Sequence, residues 1–156
     1  MEQQAATIEA ILDRAIAREE EAYALYAAAA RRATSAPIRQ RLEELAKIEL
    51  GHKARLLDTK AGNVRWAIRR AKAEQVVDLR LSDHLVGGSL GPDADFQDVL
   101  LFAAQREKAA HEFYQALSAQ VEDLLHKNLF EMLAAEELRH KYIVEKTYEE
   151  MVYQDF

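Results

Sequence analysis

The chain contains a copy of itself. The segment from Ala15 to Tyr26 aligns with that from Ala103 to Tyr114, carrying Glu19 onto Glu107, Ala22 onto Ala110 and Tyr26 onto Tyr114 at an offset of 88 positions. The same offset carries Leu42 onto Phe130, Leu45 onto Leu133, Glu49 onto Glu137, His52 onto His140 and Leu56 onto Val144. Stacked repeat units recur every 20 to 50 residues or so, with several copies, and this period is far longer. What is duplicated is a pair of helices, one about 5–61 and the other about 95–153. Two such pairs predict a single domain over 1–156, an all-α four-helix bundle of approximate two-fold symmetry.

The rest of the sequence suits that architecture. Two prolines and five glycines in 156 residues leave long uninterrupted stretches, and the 49% apolar share is rich in alanine, the strongest helix former. Helix one is predicted from about Ala5 to Ala33. Pro37, whose fixed φ suits a first turn, opens helix two, which runs to about Ala61 before Gly62-Asn63. From Gly62 to Asp95 the periodicity weakens into a long crossover, with a short helix predicted at Val76–Val86. Helix three is expected from Asp95 to Ala119, and helix four from Glu122 to Tyr153. Connections in the order short, long, short are a known wiring of such bundles.

In helix two, Ile38, Leu42, Leu45, Glu49, His52, Leu56 and Thr59 step alternately by four and three, the spacing of a buried seam. Helix four repeats the pattern as Phe130, Leu133, Glu137, His140, Val144, Thr147 and Met151. Helices one and three place Glu19 and Glu107 in the middle of small or aromatic stripes. Six polar groups are thus aimed at one layer of the core. Four ionised carboxylates gathered there would each cost several kcal/mol and would repel one another. No lysine or arginine lies on the stripes near this layer, whereas two divalent cations would balance four carboxylates, with two neutral imidazoles completing the coordination. Residues three apart share a helix face, so each Glu-x-x-His can ligate as a unit, closed by the lone glutamate of its partner helix. One Glu-x-x-His arises readily by chance; two in register, each opposite a matched glutamate with a tyrosine two turns on, make a site.

The composition also excludes alternatives. Without cysteine there is no disulfide, iron-sulfur cluster or thiolate-bound zinc. The formal charge of -6 and the lack of a long basic run argue against nucleic acid and membrane surfaces as partners. No stretch reaches the roughly 20 apolar residues of a membrane span. The first ten residues lack an export pattern, so a cytoplasmic location is expected.

The Glu-to-Tyr signature of helices one and three, the paired Glu-x-x-His and the segment Val77–Val86 together resemble the ferritin-like di-iron proteins, and among them the rubrerythrin group. The resemblance covers nearly the whole chain. It implies a ferritin-like bundle holding two iron ions, with manganese or a mixed pair equally suited to these donors. Glu49 and Glu137 would bridge the metals, Glu19 and Glu107 would be terminal ligands, and His52 and His140 would each complete one metal. It further implies an oxidoreductase acting through those metals on peroxide or dioxygen in oxidative-stress protection, with iron storage as the alternative, in a homodimer. Tyr26 and Tyr114 are expected to hydrogen-bond ligand carboxylates. There are two departures from the group. Rubrerythrins carry an additional rubredoxin-like module with four cysteines, absent here, which implies an external electron-donor protein. Many also place a further glutamate where this chain has Ala110.

Register places Glu20, Glu21 and Glu136 off the seam as solvated charges. His84, His111 and His126 have no counterpart in the repeat and read as surface or structural. Trp66 with Arg65, Arg69 and Arg70 reads as a solvated face of the crossover.

Overall fold

A computed structural model describes residues 8–62 and 95–154. Over them the chain forms four helices and no strand: α1 Ile8–Arg32, α2 Ala36–Lys60, α3 Phe96–Gln120 and α4 Leu124–Gln154. Ala5, Trp66, the arginines near it, His84 and the short helix expected at Val76–Val86 all lie outside the described residues.

Local chemistry explains where the helices stop. After α1, Ala33 still donates its N–H to Ala29 and Ala30 carbonyls, and Ser35 is then extended (φ -88°, ψ 128°) ahead of Pro37 in the first turn of α2. The Arg39 guanidinium donates to the Ala33 carbonyl at 2.9 Å, tying down the three-residue turn. At the other end of α2, Gly62 takes φ 89°, a left-handed conformation that costs glycine little, and its N–H reaches the Thr59 carbonyl. Asp95 caps α3 by accepting from the Asp98 N–H at 2.8 Å, and Asp123 does the same for Leu125 at the start of α4. The turn between α3 and α4 therefore ends two residues later than the spacing predicts.

The short turns make α1–α2 and α3–α4 antiparallel pairs with extensive packing, and the pairs meet through α1 against α3 and α2 against α4. The buried side chains fall into two apolar clusters. One joins Tyr26, Ala29, Leu42, Leu45, Leu100 and Val144 among others; the second joins Leu12, Ala15, Leu56, Tyr114, Phe130 and Leu133 with their neighbours. On every helix the glutamates and histidines predicted for the seam lie between the two clusters, joined on α4 by the buried Lys141. The core is thus a sandwich, apolar at both ends with a polar layer across its middle.

Candidate metal centre

That layer holds Glu19 from α1, Glu49 and His52 from α2, Glu107 from α3, and Glu137 and His140 from α4, none more than 2% exposed. Their donor atoms form two overlapping groups. Glu19, Glu49, His52 and Glu137 each offer an atom within 4.8 Å of the others, and so do Glu49, Glu107, Glu137 and His140. Glu49 and Glu137 belong to both. Each histidine turns Nδ1 inward: that of His52 is 3.0 Å from Glu137 and 3.5 Å from Glu19, while that of His140 is 2.6 Å from Glu49 and 3.8 Å from Glu107. The two rings lie nearly parallel, 9° apart with centroids separated by 5.6 Å.

Close as they are, these groups do not satisfy one another. Glu19 Oε2, both oxygens of Glu49, Glu107 Oε2, Glu137 Oε1 and both Nδ1 atoms are buried without a hydrogen bond among the described residues. A buried polar atom left unpaired costs about 1–3 kcal/mol, so such a concentration marks a place built for something other than protein contacts. Oxygen and imidazole donors in two four-membered groups, with four carboxylates to balance two divalent charges, fit a pair of metal ions. The site contains no sulfur donor.

The titration behaviour of the metal-free cluster points the same way. Burial, reinforced by the Glu107 charge, pushes the carboxyls of Glu49 and Glu137 well above their ordinary range. Burial also works on Glu19 and Glu107, but contacts with Glu49 and His52 in one case, and with Glu137 and His140 in the other, outweigh it and hold both below normal. Burial would lower His52 too, yet the Glu136 and Glu19 carboxylates raise it to about 10. Protons thus collect on the cluster.

The tyrosines reach across the bundle. Tyr26 on α1 donates its hydroxyl to Glu107 on α3 at 2.5 Å, and Tyr114 on α3 donates to Glu19 on α1 at 2.6 Å. Burial first, and then the carboxylates they face, raise both phenols well above their usual range, so they stay hydrogen-bond donors. Each hydroxyl fixes one oxygen of its carboxylate and leaves the other directed into the cluster.

A cavity of about 180 Å³ opens onto this layer between α1 and α3. Glu19, Glu49, Glu107 and Glu137 line it together with Tyr26, Ala22, Ala110, Arg18 and Arg106, whereas neither histidine does. The carboxylate side of the cluster is therefore the accessible one. Ala22 and Ala110, related by the repeat, leave the opening; larger side chains there would close it.

Three residues read differently in the structure than in the sequence. Glu136 is not a freely solvated charge: it is half-buried, in very close contact with His52 Nε2 and 3.6 Å from Arg55. Lys141 and Glu145, which the seam pattern did not single out, are 0% and 1% exposed and lie 3.8 Å apart on α4. Glu20 and Glu21 are exposed partners of Lys53 and Arg106, as register indicates. His111 bonds the Ala134 carbonyl at 2.6 Å and His126 faces Asp123 at 2.8 Å, both away from the cluster.

Among the described helices none is long and apolar enough to cross a membrane. No curated protein matches the chain. The solved structure of a hypothetical protein from Pyrococcus furiosus is similar to it, with a TM-score of 0.70 and 24% identity over 95% of this chain and 92% of that one, a likeness that speaks to the fold. The family model described as Rubrerythrin matches residues 2–75 and 98–155. That match takes in three helices whole, α3 from Asp98 onward and every residue of the polar layer, and the chain belongs to the rubrerythrin family.

Proposed function

We propose that the protein is a di-iron oxidoreductase of the rubrerythrin type, which reacts with hydrogen peroxide or dioxygen and so protects against oxidants. The observation that carries this reading is the overlap of two buried donor groups on Glu49 and Glu137, beside a cavity lined by carboxylates. In it, Glu19 and His52 would hold one metal, Glu107 and His140 would hold the other, and Glu49 and Glu137 would serve both. With one donor atom from each of the four residues at either position, an ion of six-fold coordination would keep room for a small ligand. When bound, a ferrous pair supplies one electron per ion to a two-electron oxidant.

The chain's own residues do the rest. Tyr26 and Tyr114 hold Glu107 and Glu19 in fixed orientations through their hydroxyls. The apolar clusters on both sides keep bulk water from the layer, and the cavity between α1 and α3 admits a molecule of a few heavy atoms. With no cysteine in the sequence, a thiolate-bound electron relay must come from outside these 156 residues. An external electron-donor protein, a homodimeric assembly and a cytoplasmic location belong to the same reading.

The test is to load the protein with Fe(II) without oxygen and mix it with hydrogen peroxide in a stopped-flow spectrometer. Oxidation much faster than that of free ferrous ion is expected; an equal rate would refute the reading. Iron content and size distinguish storage, since a cage-sized particle holding many irons per chain would point to sequestration. Metal analysis of protein purified without chelator decides between iron and manganese.

A further inference from the structure

The repeat breaks at one position beside the metal centre. The offset that relates the two helix pairs carries Ile48 onto Glu136. Glu136 Oε2 is in very close contact with His52 Nε2, and Arg55 Nη1 lies 3.6 Å from Glu136 Oε1, holding the carboxylate in place. The other nitrogen of that ring, Nδ1, faces Glu137 and Glu19. His52 is thus clamped between the donor cluster and an arginine-backed carboxylate. His140 also turns Nδ1 inward, but at the position matching Glu136 the chain has Ile48, an aliphatic side chain that is 42% exposed and has no atom to accept a hydrogen bond.

We propose that Glu136 is a positioning residue that makes the two metal positions unequal, so that the Glu19–Glu49–His52–Glu137 position fills first and more tightly than the Glu49–Glu107–Glu137–His140 position. This rests on the di-metal reading above. An imidazole that donates its outer N–H to a carboxylate is locked in one tautomer, with the lone pair of the inner nitrogen aimed at the metal and made a stronger donor; removing such a partner typically weakens metal binding by about 10- to 100-fold. Ile48, which stands at the matching position of the repeat, has no polar atom to supply either effect.

The experiment is an anaerobic titration of the metal-free full-length chain with Co(II), followed by its visible absorption. Two steps are expected, separated by about 10- to 100-fold in affinity. His52→Ala should remove the tighter step and His140→Ala the weaker one. Glu136→Leu should bring the first step down to the second and leave the second unchanged, Glu136→Asp should restore part of the difference, and Ile48→Glu should strengthen the second step alone. Two equal steps in the wild type, or an equal loss from both steps in Glu136→Leu, would overturn the proposal while leaving the di-metal reading intact. Failure of the wild type to bind Co(II) at all would overturn both.

Discussion

Glu49 and Glu137 each supply an atom to both donor groups, whereas Glu19 and Glu107 each supply one to a single group. Removing a shared residue should therefore damage both metal positions and removing an unshared one should damage one. Glu49→Ala and Glu137→Ala are expected to retain less than one ion per chain after desalting, and Glu19→Ala and Glu107→Ala about one, a difference that elemental analysis reads directly. Equal losses across all four variants would mean that the sharing has no consequence. The tyrosines permit a complementary test in the metal-free protein. Tyr26→Phe removes the donor to Glu107 Oε1 and Tyr114→Phe the donor to Glu19 Oε1, leaving a buried acceptor without its partner in each case. Each should cost about 1–3 kcal/mol in urea denaturation, with the wild-type slope retained. An unchanged midpoint would show that the carboxylate finds another donor.

At the level of the helices, the seams of α2 and α4 were legible because their period is strict: Leu42, Leu45, Glu49, His52 and Leu56 are all buried, as are Phe130, Leu133, Glu137, His140 and Val144. Burial on a single stripe is a local property of a helix, and periodicity reports it. What periodicity does not report is how wide the covered face is, since that depends on neighbours distant in the chain. Lys141 and Glu145 have the spacing of an ordinary solvated helix pair, yet α4 is covered over a broader arc than the seam alone and both are buried. Glu136 escaped for a related reason: it borders the seam and meets a residue of α2, so only the pairing of the two helices reveals its role. The buried pair on α4 has a measurable signature. Lys141→Met, which leaves Glu145 buried without the ammonium beside it, should destabilise the protein by about 3–5 kcal/mol, and the double change with Glu145→Leu should recover most of that loss. If the double variant is no more stable than the single one, the two residues are not energetically coupled.

For the whole molecule, a polar layer splits the core into two apolar halves, and the protonation of that layer makes stability depend on pH. Glu49 and Glu137 are raised above the ordinary 4.5, so above that pH the folded state holds protons that the unfolded chain releases, and stability falls as pH rises. His52 acts in the same direction, its contribution being complete below 6.5 and lost as pH climbs through about 10. Glu19, Glu107 and Glu136, held below 4.5, contribute above that value and lose their contribution under more acid conditions. The metal-free protein should thus be most stable near about pH 4.5 and weaken on either side, with His52 adding to the alkaline loss above about 6.5. Metal ions reverse the alkaline trend, because ligands must give up those protons to bind them. Calorimetric melting with and without excess Mn(II), from about pH 5 to about pH 8.5, should show the metal-induced rise in Tm growing with pH while the metal-free Tm declines. A rise that stays constant or shrinks would mean that no protons leave the layer on binding. The ions would then be held somewhere other than by Glu49, Glu137 and His52.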